Sequence, residues 1–97
     1  MDLDIQAEHV AMHPAWYREI DQWVAGCARH HPGVAAVELT LRHGDGGPLP
    51  DEVCAVATGR DRRPLRATAR AGLMAEALHE ALDTLEHDLL VHEALRR

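Results

Sequence analysis

Leu3, Ile5 and Ala7 alternate with Asp4 and Gln6 at the start of the chain, the period-two pattern of a strand with one face buried. The period then lengthens. His13-Pro14 puts proline in a helix's first turn, where its missing N–H costs nothing. Trp16, Ile20, Trp23, Val24 and Cys27 follow at helical spacing until His31-Pro32-Gly33 closes the segment. Val37, Leu39 and Leu41 alternate again, now with Glu38, Thr40 and Arg42, and the run HGDGGPLP from His43 to Pro50 is a loop. Val53 to Thr58 and Leu65 to Ala71 predict a hairpin joined by the cationic connection GRDRRP. Alternation in its second strand assigns Leu65, Ala67 and Ala69 to the core and Arg66, Thr68 and Arg70 to the other face. Past Gly72, the residues Met74, Leu78, Ala81, Leu82, Leu85 and Leu89 form the apolar stripe of a long helix. Its remaining faces carry Glu76, His79, Glu80, Asp83, Glu86, His87 and Asp88.

The predicted order is β-α-β-β-β-α, an α+β fold. Each helix has one apolar face and each strand alternates, so the economical packing is a four-stranded sheet with two helices on one face. A chain of 97 residues has room for one hydrophobic core, and residues 1–97 read as a single domain. With no Phe, one Tyr and two Trp, that core rests on Leu, Val, Ile and Ala, which implies closely approaching elements. No apolar run reaches the roughly 18 residues of a membrane span, and the opening MDLDIQAEHV lacks the layout of a signal peptide. The expectation is a cytoplasmic protein with no membrane partner. Cys27 and Cys54 match no metal-ligand spacing and are expected as two buried thiols.

The formal net charge of −6 argues against a broad nucleic-acid surface. The distribution changes that picture. There is no Lys, and half of the arginines, Arg60, Arg62, Arg63, Arg66 and Arg70, fall in one short stretch suited to phosphate or carboxylate. The loop at His43 to Pro50 has neither the Lys nor the following helix of a phosphate cradle. His79, Asp83 and His87, spaced by four, have the periodicity of metal ligands on one helix face, but they sit among Glu and Asp on an exposed face and are expected as solvated side chains. His30-His31 and the pair His9 and His13 adjoin Pro32 and Pro14 and read as helix punctuation. Neither cysteine lies in an arrangement that would activate it. The chain is therefore read as a binding protein and not an enzyme, with no metal and no cofactor.

The element order, together with LRATARAGLMAEALHEALDTLEHDLLVH from Leu65 to His92, resembles the ribosome hibernation promoting factor family, also described as ribosome-associated translation inhibitors. The likeness spans nearly the whole chain. Met74, Ala77, Leu78, Asp83, Leu85, Leu89 and His92 stand where the family commonly has the same or similar types, and Ala7 stands where it often has Gly. The resemblance implies a protein that docks on the small ribosomal subunit against 16S-type rRNA, where messenger and transfer RNA would lie, and keeps idle ribosomes inactive. Family members meet rRNA with Lys and Arg, chiefly on the helices. Here Thr84, His87, Val91 and Glu93 stand near such positions of the last helix, so RNA contact is expected to move to Arg60, Arg62, Arg63, Arg66 and Arg70. His87, His92, Arg96 and Arg97 would form a lesser cationic edge. Longer members carry a further C-terminal domain, and this chain is expected to end before one. The alternative is a module of the same fold that has lost ribosome binding and meets a basic protein through its acidic helix face. An exposed sheet face or edge strand leaves a homodimer open.

Overall fold

The computed structural model describes residues 1–44, 46–59 and 62–95. The elements are β1 (Asp2–Glu8), α1 (Pro14–His30), β2 (Val34–His43), β3 (Asp51–Gly59), β4 (Arg62–Ala71) and α2 (Met74–Leu95). The expected order is present, with longer strands. β4 reaches back to Arg62, so the hairpin connection is shorter than the run GRDRRP suggests, and β2 extends at both ends beyond its alternating apolar residues.

The strands lie side by side in the order β1-β2-β3-β4, with β1 parallel to β2 and the other pairs antiparallel. A parallel pair needs a crossover, which α1 supplies. α1 starts where His13, in extended backbone, caps it: the Ala15 N–H donates to His13 Nδ1 at 3.0 Å, and Pro14 follows in the first turn. It stops because Pro32 disfavours helical backbone at His31, whose N–H still donates to the Cys27 carbonyl at 2.7 Å. Between β2 and β3, Gly46 and Gly47 take φ of +67° and +86°, angles that a side chain would strain, and the Gly44 N–H donates to the Pro50 carbonyl at 2.6 Å.

Both helices lie on one face of the sheet, and their C-termini point to the hairpin end. The core is Val34, Val37, Leu39, Leu41, Val53 and the alanines at 55, 57, 67, 69 and 71 from the sheet. The helices add Ile20, Cys27, Met74, Leu78, Leu82, Leu85 and Leu89, with Ala77 and Ala81. The predicted stripe of α2 is buried in full. α2 packs chiefly on β3 and β4, the strands whose inward residues are mostly alanine, so small side chains on both partners bring helix and sheet close together.

Three expectations need correcting. Ala7 is exposed, because β1 is an edge strand and the helix layer does not cover its last residues. Leu65, close to the hairpin end of edge strand β4, is only half-buried. Cys54 is half-buried on the open face of the sheet, whereas Cys27 is buried on the sheet-facing side of α1, so the two lie on opposite sides and no disulfide joins them.

Candidate nucleic-acid interface

The open face of the sheet is built in rows fixed by the strand register. Asp4, Glu38, Val56 and Arg66 form one row, Gln6, Thr40, Cys54 and Thr68 the next, and Glu8, Arg42, Glu52 and Arg70 the third. In the third row charge alternates from strand to strand. The Arg70 Nε–H donates to Glu52 Oε2 at 2.7 Å, and Arg42 Nη2 lies 3.5 Å from Glu52 Oε1. Exposed pairs of this kind contribute little to stability; what they do is orient. Glu52 holds two guanidinium groups over β3 and leaves the trio with one net positive charge. A cleft of about 170 Å³ opens beside it, bounded by Arg42, Gly44, Gly46, Pro50, Glu52 and Arg70. Arg66 has no carboxylate beside it among the described residues; its Nη1 lies 3.9 Å from the Cys54 thiol.

Of the residues singled out from sequence, Arg66 and Arg70 therefore share a face as alternation requires. Arg63 is exposed one step out of phase, near the hairpin end. Arg62 opens β4, opposite Gly59. Arg60, Arg96 and Arg97 lie outside the described residues. His87 is exposed and His92 half-buried on α2, in the helix layer on the far side of the sheet from Arg66 and Arg70, so the structure does not bring the histidines and the strand arginines onto one surface. Arg42 was missed by the sequence reading. Only the register, which sets it beside Glu52 and one strand from Arg70, brings it into the patch.

α2 shows the opposite character. Glu76, Glu80 and Asp83 are exposed, and His79 sits between Asp83 Oδ2 at 3.1 Å and Glu19 Oε2 of α1 at 3.6 Å. Among the described residues no three His, Cys, Asp or Glu side chains are placed to hold a metal ion, so His79, Asp83 and His87 do not assemble into a site.

His31 is a second residue the sequence undervalued. It ends α1 as expected, but it is also buried, at 1% exposure. Its ring is clamped on both sides by α2: Nε2 lies 2.9 Å from Glu86 Oε1 and Nδ1 2.7 Å from Glu93 Oε1. Only the imidazolium can donate to both carboxylates at once. Burial works to lower its pKa, but the hydrogen bonds and charges of Glu86 and Glu93 outweigh that and hold it above the ordinary 6.5.

No helix among the described residues is long and apolar enough to cross a membrane. No protein-family model and no curated protein sequence matches the chain. Solved structures do. A ribosomal subunit interface protein from Coxiella burnetii superimposes with a TM-score of 0.80 over 97% of this chain and 99% of its own, at 15% identity. The N-terminal domain of Thermus thermophilus Protein Y superimposes with a TM-score of 0.72 over 92% of this chain and 96% of its own, at 13% identity. The chain thus has the fold that the resemblance to hibernation promoting factors implies.

Proposed function

We propose that this chain binds the small ribosomal subunit and holds idle ribosomes inactive by occupying the messenger and transfer RNA sites, through contacts of its arginine-lined sheet edge with 16S-type rRNA. The observation that carries the reading is the end-to-end likeness in fold to a ribosomal subunit interface protein. The surface supports it: Arg66 and Arg70 stand together on β4, joined across the sheet by Arg42, with Arg63 exposed near the hairpin end of the same strand, which Arg62 opens. Planar guanidinium groups pair bidentately with phosphate oxygens. Arg60 adds charge next to β4 in the sequence, whereas Arg96 and Arg97 follow α2; His87 and His92, on the helix side, take no part in this contact. The mechanism is occlusion, and its setting is the cytoplasm, under the stress and growth arrest in which ribosomes idle.

The test is co-sedimentation with purified small subunits across a salt series, comparing the wild type with an Arg63→Ala, Arg66→Ala, Arg70→Ala variant. Neutralising phosphates releases counterions, so log affinity should fall linearly with log salt. Loss of three contacts should lower that slope by about two to three and the low-salt affinity by at least about tenfold. A wild type that stays at the top of the gradient at low salt sinks the proposal. Binding that ignores both salt and the three substitutions moves the contact away from β4.

A further inference from the structure

Between the outer faces of α1 and α2 runs a mostly apolar groove of about 220 Å³, lined by Gln22, Trp23, Gly26 and His30 from α1 and by Asp83 and Glu86 from α2. Pockets for small-molecule cofactors are usually larger, from about 300 Å³ upward, so the groove is of a size for one long side chain. Gly26 makes the room. Glycine is disfavoured inside a helix, and no close packing requires it here, because a Cβ at position 26 would meet nothing within 4 Å. Its effect is to leave the floor of the groove open beside the half-buried indole of Trp23.

The rim is acidic. Glu86 is fixed by its 2.9 Å contact with the buried His31, and Asp83 stands exposed beside it, 3.1 Å from His79. One charge on His31 set against Glu86 and Glu93 still leaves that trio negative. Among the described residues no arginine lines the groove. A flat indole next to two carboxylates offers a guanidinium both of its preferred partners, an aromatic face and oxygen acceptors, and Glu86, already held by His31, loses little entropy when it arrives. A phosphate would meet repulsion from the same rim.

We propose that the α1–α2 groove receives an arginine side chain from a basic segment of another protein, stacked on Trp23 and paired with Asp83 and Glu86. This docking goes beyond the rRNA contact, uses the opposite side of the molecule, and stands or falls independently of it.

The experiment is an NMR titration of the isotope-labelled chain with a short capped peptide, Gly-Ala-Arg-Ala-Gly, and with its citrulline counterpart, which keeps the shape and lacks the charge. The expected result is saturable shifts centred on the Trp23 indole N–H and the Gly26 and Asp83 amides, absent with citrulline. Gly26→Leu fills the groove without changing charge and should abolish the shifts while leaving the fold intact. Asp83→Asn, at an exposed position that folding does not need, should weaken them about fivefold or more and serves if Gly26→Leu does not fold. Equal response to the citrulline peptide overturns the proposal. So do shifts spread over every acidic residue, or shifts that persist in Gly26→Leu.

Discussion

Replacing His31 by Ala tests the clamp that ties the end of α1 to the last turns of α2. Each charge-assisted hydrogen bond contributes about 1.5–3 kcal/mol, giving an upper bound of roughly 3–6 kcal/mol for the two. Glu86 and Glu93 keep side-chain exposures of 37% and 30%, so water recovers part of that when the imidazole is gone. A net loss of about 2–3 kcal/mol remains, or roughly 10–20 °C in melting temperature for a domain of this size. The pH dependence is the sharper signature. The folded-state pKa is raised above 6.5, so the contribution is fully present below about pH 6.5, the unfolded value, and is lost as pH rises through the folded pKa. The wild-type advantage over His31→Ala should shrink with increasing alkalinity above pH 6.5 by no more than about 1.4 kcal/mol per pH unit. It should also collapse in acid, where the carboxylates protonate. Urea unfolding of both proteins from pH 5.5 to 9 measures this. A difference that stays constant over that range refutes the imidazolium, and a loss below about 0.5 kcal/mol refutes the clamp.

Ala81→Leu, at a fully buried position of α2, should destabilise by about 1–3 kcal/mol in the same assay, because the close approach of helix and sheet leaves no room for added methylenes. Leu85→Ala, also fully buried, should cost about 2–5 kcal/mol. Under native conditions a thiol reagent should label Cys54, half-buried on the open face, within minutes and reach Cys27 only after unfolding, which mass spectrometry of timed samples will show. Glu52→Gln should leave stability within about 0.5 kcal/mol yet strengthen binding to small subunits at low salt, since Arg42 and Arg70 are then released from their shared carboxylate.

Much of this architecture is legible in the residues because core and solvent impose their periods directly. Leu39 and Leu41, or Leu78, Leu82 and Leu85, declare strand and helix by spacing alone. What fails is whatever depends on neighbours distant in sequence. Ala7 follows the pattern but lies where no helix covers it. β4 runs to Arg62 because its pairing opposite Gly59, and not its hydrophobicity, sets its start. His31 signals the end of a helix locally, while its role as a clamp is written in Glu86 and Glu93 on the last helix. Alternation placed Arg66 and Arg70 correctly. It could not recruit Arg42, whose membership follows from register.

The thinness of the molecule bears on how an acidic protein meets a polyanion. The Cα frame measures 44 × 23 × 17 Å, with Arg66 and Arg70 on the open side of the sheet and the carboxylates of α2 in the layer beneath it. At physiological ionic strength charges are screened over about 8 Å. The outer side of α2 is thus about two screening lengths from anything resting on the arginines. Far from rRNA the net negative charge weakly opposes approach. Closer in, the attraction comes from the β4 edge, because Asp4, Glu8 and Glu38 of the same face lie on β1 and β2. A phosphate chain is drawn to that edge, while the acidic helix faces whatever lies on the other side.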